Sequence, residues 1–135
     1  MDVLITPDAL RDIEALRAFR RRPGAWSVLV GHKRGPRFIV EKVLACGLPG
    51  TGPDERLLAA LDAIWPGMII GVEVAGTGAA FSRSVLGPAW FGRLVLRSQA
   101  RAAAAGLRPF VVGFDRKFFL QPVPFATGPK EEGHE

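Results

Sequence analysis

The strongest candidate for a reactive side chain is Glu73, which lies within the apolar run M-I-I-G-V-E-V-A at residues 68–75. A carboxylate in such a run is costly unless it is paired, protonated or close to solvent. Glu73 could act as a general base, with Ser82 or Ser84 as a nucleophile. The alternation of strand side chains favours a simpler interpretation, in which Glu73 faces an arginine or an open edge. The two serines are more simply explained as caps of a turn or helix, because no histidine lies near them in sequence.

The chain offers few ligands for a metal ion. Its two histidines, His32 and His134, are separated by most of the length of the chain, and Cys46 is its only cysteine. Zinc and other transition metals need several clustered nitrogen or sulfur ligands. We therefore predict no metal site and no cofactor.

Basic residues form two groups in the first third of the chain, which carries a net charge of +5. The groups are Arg20, Arg21 and Arg22 at the end of the first predicted helix, and His32, Lys33, Arg34 and Arg37 around the following turn. They could bind the phosphates of a nucleic acid. No aromatic residue is interleaved with these charges, so a solvated turn and charge compensation at a helix end are the favoured explanation.

Aromatic residues indicate a surface for a protein partner or for self-association. Trp90 and Phe91 are adjacent, as are Phe118 and Phe119, and Phe125 follows the last predicted strand. Adjacent residues on a strand face opposite sides, so one ring of each pair should leave the main core unless both sides are covered. We predict that Trp90, Phe91, Phe119 and Phe125 contribute to this surface, although burial on both faces explains them equally well.

Helices and strands alternate irregularly along the chain. Capping residues and apolar periodicity predict one helix from Thr6-Pro7 to Pro23 and a second over residues 53–64. Strands are predicted at residues 26–30, 38–44, 68–75, 93–97, 109–114 and 118–123, with the third as the central strand. This order predicts a single α+β domain over residues 1–126, with a glycine-rich loop at 76–87 and a flexible tail at 127–135.

The chain shows no membrane or export signal. It lacks a run of about 18 apolar residues and the basic-then-apolar start of a signal peptide. Together with the single cysteine, this predicts a cytoplasmic protein without a membrane partner.

The segment W-S-V-L-V-G-H-K-R-G-P-R-F-I-V-E-K-V, with a helix before it and a helix plus I-I-G-V-E-V after it, resembles the JAB/MPN domain. That domain is the fold of zinc-dependent deubiquitinating isopeptidases. The resemblance covers residues 5–123 through the order of elements and these two segments. It implies a cytidine-deaminase-like mixed sheet flanked by helices.

The resemblance also implies where the zinc site of active members would lie. Their ligands and catalytic groups are a glutamate, a histidine pair, a serine and an aspartate. The matching positions here are Gly24 or Ala25 for the glutamate, Val74 and Gly76 for the histidines, Ser84 for the serine and Gly87 for the aspartate. Only the serine is present, so the resemblance implies the fold and argues against the activity.

We therefore predict a non-catalytic interaction or scaffold domain, since non-catalytic relatives of this family commonly pair with other domains. Two alternatives remain open. One is a small-molecule hydrolase or binding protein that uses Glu73 with Ser82 or Ser84. The other is a nucleic-acid-binding protein that uses the basic groups.

Overall fold

A curled, mixed β-sheet organises the chain, whose computed structural model describes residues 1–18, 24–47, 52–76, 79–98 and 106–126. Within these ranges the strands are β1 (Asp2–Ile5), β2 (Trp26–Arg34), β3 (Arg37–Gly47), β4 (Ile69–Ala75), β5 (Leu94–Ser98), β6 (Leu107–Asp115) and β7 (Lys117–Pro122). The helices are α1 (Pro7–Ala18), α2 (Glu55–Ile64) and α3 (Ala79–Val85), with a 3-10 helix at Pro88–Trp90. The predicted α+β class is confirmed.

The strands lie in the order β1-β3-β2-β4-β5-β6-β7, which places β4 at the centre as predicted. The β1–β3 and β4–β5 pairs are parallel, whereas β2 is antiparallel to both β3 and β4. The pairs β5–β6 and β6–β7 are also antiparallel. The apolar run of β4 is buried on both faces, as expected for a strand in the middle of a covered sheet.

Helices cover both faces of the sheet and divide the core in two. The first cluster packs α1, through Ala9 and Ile13, against one face of the sheet. The second packs α2, through Leu58, and α3, through Phe81 and Val85, against the other face. This arrangement is a helix–sheet–helix layering in which alternate strand residues enter opposite clusters.

Both predicted helices begin at a capping side chain, which is the predicted Thr6 in α1 and Asp54 in α2. The Ala9 N–H donates to Thr6 Oγ1 (3.2 Å), and the Leu57 N–H donates to the Asp54 carboxylate (2.9 Å). Each of these bonds satisfies one of the backbone donors left free in a first helical turn. Trp65 caps the end of α2 with an N–H bond to the Leu61 carbonyl (2.8 Å).

Two elements differ from the sequence prediction. The predicted loop at residues 76–87 is wrong in its central part, because α3 occupies Ala79–Val85. Alanine is the best helix former, and Phe81 and Val85, one turn apart, pack into the core. Strand β1 was not predicted, since four residues are too short for a clear alternation.

The sheet curls until the chain beyond β7 reaches β1. The Val3 N–H donates to the Pro124 carbonyl (3.1 Å), and the Ala126 N–H donates to the Val3 carbonyl (2.7 Å). Residues 124–126 therefore lie along the outer edge of β1. The predicted tail at residues 127–135 falls outside the described ranges. No helix within those ranges is long and apolar enough to cross a bilayer.

Candidate functional site

An exposed cluster of aromatic rings lies at one end of the β6–β7 hairpin. Phe91, Phe114, Phe118 and Pro88 line a cleft of about 310 Å³, which we call the aromatic cleft. Phe91 is 57% exposed and Phe114 is 56% exposed, although both are large and apolar. The Phe114 and Phe118 rings lie 4.9 Å apart between centroids and are tilted by 60°, a favourable geometry for an aromatic pair.

Buried Trp90 fixes one wall of the aromatic cleft. Its Nε1–H donates to the Pro53 carbonyl (2.7 Å), and the side chain is fully buried. The chain then turns, with the Gly92 φ at +80° and the Gly92 N–H donating to the Val112 carbonyl (2.8 Å). This turn sends the ring of Phe91 outward while the indole beside it stays in the core.

The hairpin turn fixes the opposite wall. Phe114 and Phe118 are directly opposite each other across the turn, so they project from the same face of the sheet. Arg116, at the tip, adopts a left-handed conformation with φ of +69°. The turn residues Asp115, Arg116 and Lys117 are all exposed, which places two cations and one anion next to the rings.

Arg93, two residues after Phe91, bonds to α2. Its guanidinium donates to the Asp62 carboxylate (3.2 and 3.4 Å) and to the Ile69 carbonyl (2.6 Å). It also lies 5.8 Å from the Trp90 ring centroid, within the range of a cation–π contact. These contacts give Arg93 a structural role, whereas Arg116 and Lys117 of the hairpin turn are exposed cations beside the aromatic cleft.

The outcome for the predicted partner surface is mixed. Phe91 is exposed, but Trp90 is buried, so its assignment to a surface is wrong. Phe119 is half-buried with its ring over Gly113, where a Cβ would lie 3.2 Å from the ring atoms. Phe125 is 36% exposed and pairs with β1 at Val3. The predicted surface therefore contributes Phe91 alone to the aromatic cleft.

The sequence prediction missed Phe114 and Pro88. A usable signal was present for Phe114, because it and Phe118 are equally distant from Arg116 in the predicted hairpin. Residues placed symmetrically about a turn become a cross-strand pair, and their side chains share a face.

The other candidate chemistry is not assembled into one site. Glu73 is fully buried and lies between Val72 and Val74, which pack on the α2–α3 side. Its side chain must therefore point to the α1 side, while Ser82 and Ser84 lie on α3. The sheet separates the carboxylate from both serines. Glu73 is buried beside Ser27, its neighbour on β2, and both residues have interaction partners.

Two of the segments that the JAB/MPN resemblance assigns to the zinc site are adjacent, because residues 24 and 25 bond to Ala75, which lies between Val74 and Gly76. The Ala75 N–H donates to the Ala25 carbonyl (2.8 Å), and the Gly24 N–H donates to the Ala75 carbonyl (2.6 Å). Val74, at a histidine position, is fully buried in the core. Among the described residues, no three histidine, cysteine or acidic side chains are close enough to hold a metal ion.

Part of the second basic group is engaged within the protein. Arg37 donates to the Asp2 carboxylate from Nε (2.9 Å) and Nη2 (3.0 Å), and this hydrogen bonding lowers the pKa of Asp2. His32 Nδ1 lies 3.5 Å from the Glu41 carboxylate, and Lys33 Nζ lies 5.1 Å from the Phe38 ring centroid.

The remaining basic residues fall into two cases. Arg34 lies at the end of β2, against a second cleft of about 440 Å³ that also contacts Leu4 and Ile39. Arg20, Arg21 and Arg22 lie outside the described residues.

Comparison with known proteins finds a solved structure with a similar fold. No family model and no curated protein matches the chain. A similar solved structure is the solution structure of protein DSY2949 from Desulfitobacterium hafniense, with a TM-score of 0.58 and 16% sequence identity over 98% of both chains. At this identity the likeness extends to the fold alone.

Proposed function

We propose that this chain is a non-catalytic protein-interaction domain of the JAB/MPN type, which binds a protein partner through the aromatic cleft. The observation that carries the proposal is the exposure of Phe91 and Phe114, each more than half accessible, on one contiguous surface. Exposed apolar clusters of this kind mark interaction sites, and aromatic rings contribute strongly to binding energy.

The contacts that hold the backbone around the cleft support the proposal. Phe91 follows a buried, hydrogen-bonded tryptophan, and Phe114 and Phe118 sit on paired strands. A surface whose side chains are already ordered loses less entropy when it binds a partner. The three rings are therefore suited to act as binding hot spots.

The non-catalytic part of the proposal is supported by the positions equivalent to the zinc ligands. Residues 24 and 25 bond to Ala75, and the four positions Gly24, Ala25, Val74 and Gly76 offer only backbone or aliphatic groups. Glu73 lies on the far side of the sheet from Ser82 and Ser84, which weakens the hydrolase alternative. A nucleic-acid role has less support, since three of the four basic residues around the β2–β3 turn contact other side chains.

The test is quantitative affinity capture from the host lysate with tagged wild type and two variants, Phe91→Ser and Phe114→Ser. Loss of one aromatic hot spot should weaken partner binding by about 2 kcal/mol, or roughly 30-fold in Kd. Leu4→Ser is the matched control, because Leu4 is also apolar and 41% exposed but lies on β1. Circular dichroism verifies that each variant is folded.

The expected result is a partner that is captured by wild type and by Leu4→Ser and lost from both phenylalanine variants. Equal capture by all four proteins would show that the aromatic cleft does not bind the partner. If the wild-type protein turns over a captured small molecule and Glu73→Gln abolishes this activity, the hydrolase alternative is favoured.

A further inference from the structure

The hydrogen bonds of β6 determine which backbone groups of β7 face outward. The Val112 N–H donates to the Arg93 carbonyl (3.1 Å), so even-numbered residues of β6 bond toward β5. The Val123 N–H donates to the Pro109 carbonyl (3.1 Å), so odd-numbered residues of β6 bond toward β7. Backbone groups of successive strand residues point to opposite sides, which makes these two observations consistent.

The register carries this pattern across to β7. Val111 is opposite Gln121 and Gly113 is opposite Phe119, so Phe119 and Gln121 exchange hydrogen bonds with β6. The N–H and C=O groups of Phe118 and Leu120 therefore point away from the sheet.

This outer edge of β7 is unpaired within the described part of the chain. β7 pairs with β6, and β1 meets the chain only beyond β7, at Phe125. The edge at Lys117–Pro122 spans six residues, or about 20 Å at roughly 3.3 Å per residue. An open edge of this kind is a template for another strand.

The open edge and the aromatic cleft form one continuous surface. Phe118 belongs to both, because its backbone faces outward and its ring lines the cleft. A strand placed beside β7 would direct alternate side chains to the face that carries Phe118 and Leu120, which is also the face of Phe114. Backbone pairing would supply affinity, and the cleft would select the side chain.

We propose that an extended segment of an acidic protein partner adds to the sheet as a strand beside β7, with an apolar side chain in the aromatic cleft and a carboxylate near Arg116 and Lys117. This inference rests on the proposed function and specifies its mode of binding. It commits to a segment of another protein as the occupant.

Charge favours an acidic partner over a second copy of this chain. Residues 106–126 contain three cations and one anion, and the whole chain carries +5. A lysine on an edge strand opposes pairing with an identical edge. The same cations attract an acidic segment and accelerate its association.

The test begins with selection of random dodecapeptides, displayed on phage, against the folded protein. We expect enriched peptides to alternate apolar with other residues and to carry at least one aspartate or glutamate. Fluorescence anisotropy of a synthetic enriched peptide should show about 30-fold weaker binding to Phe91→Ser. Arg116→Glu and Lys117→Glu should each weaken it by about two- to five-fold, with the effect reduced by salt.

Backbone N-methylation of the same peptide tests strand addition directly. Only every second peptide amide can face β7, so methylating one alternate set should reduce affinity at least about 30-fold, while methylating the other should change it less than about three-fold. Equal effects of the two sets, with sensitivity to Phe91→Ser retained, would refute strand addition and leave the proposed cleft standing.

Other outcomes would refute more than the mode of strand addition. Failure to enrich peptides, or enriched peptides that bind Phe91→Ser normally, would refute strand addition at the aromatic cleft, whereas equal lysate capture by wild type and Phe91→Ser would also refute the proposed function. Light scattering that shows a dimer, disrupted by Phe91→Ser, would identify a second copy as the occupant and refute the acidic partner.

Discussion

Trp90 and Phe91 are neighbours in sequence with opposite environments, so their substitutions should have opposite consequences. Trp90→Phe removes the Nε1–H that donates to the Pro53 carbonyl and leaves that buried acceptor unpaired. The lost bond costs about 1–3 kcal/mol. The smaller ring adds about 1 kcal/mol through the space it leaves in the core. We therefore expect the free energy of unfolding to fall by about 2–4 kcal/mol, a large share of the 5–15 kcal/mol typical of a domain.

The assay is urea unfolding followed by far-ultraviolet circular dichroism, which does not depend on the tryptophan removed. With a slope of about 1.5 kcal/mol per molar urea, the midpoint for Trp90→Phe should fall by about 1–3 M. Phe91→Leu is the matched control and should cost less than about 1 kcal/mol, since 57% of Phe91 is already exposed. Partner binding should reverse this order, with Phe91→Leu the weaker binder.

Two results would refute this reasoning. One is a Trp90→Phe protein within about 0.5 kcal/mol of wild type, which would mean that the indole bond and packing contribute little. The other is a Phe91→Leu variant that is the less stable of the pair, which would place Phe91 in the core and Trp90 on the surface.

Three further predictions concern stability. Gly71→Ala should destabilise the fold by at least about 2 kcal/mol in urea unfolding, because the added Cβ would overlap the Leu94 carbonyl oxygen on β5. Gly87→Ala is the control and should be neutral, because nothing lies within 4 Å of the added Cβ. The bond to Arg37 holds the pKa of Asp2 below its ordinary value of 3.8, so the stabilising contribution of Asp2 is present above that value and is lost as the pH falls through the lowered pKa. Asp2→Asn should therefore flatten the dependence of Tm on pH in that acidic range. An unchanged slope would contradict this. Glu73→Gln should lower Tm, because it changes a buried, partnered group, while partner capture by the folded variant stays at the wild-type level; loss of capture would contradict its structural role.

Local patterns were sufficient to predict most of the fold. Thr6 and Asp54 stand at the starts of α1 and α2, and turn residues delimit both hairpins. The unbroken apolar run at β4 identified the central strand. These signals depend on neighbouring residues alone, so a single sequence contains them.

The errors arose where tertiary packing decides the outcome. Helix α3 was missed because flanking glycines suggested a loop, and its seven residues become stable only when Phe81 and Val85 pack on the sheet. The burial of Trp90 depends on the Pro53 carbonyl, 37 positions earlier in the chain. No local pattern encodes that contact.

The candidate site was predictable only in part for a related reason. Phe91 was identified from its adjacency to Trp90, and Phe114 could have been placed from hairpin symmetry. Locating the open edge of β7 required the hydrogen-bond pattern of β6 and its neighbours, including the 3.1 Å bond from the Val112 N–H to the Arg93 carbonyl just before β5. An edge is a property of the whole sheet, so its position follows from strand order and cannot be obtained from one strand's residues.

Amide hydrogen exchange at residues 118–121, measured by NMR with and without a saturating selected peptide, tests the binding surface most directly. In the free protein we predict rapid exchange at Phe118 and Leu120 and slow exchange at Phe119 and Gln121, because only the latter two bond to β6. Bound peptide should protect Phe118 and Leu120. Protection of these two amides in the free protein, or their continued rapid exchange in the saturated complex, would contradict the account.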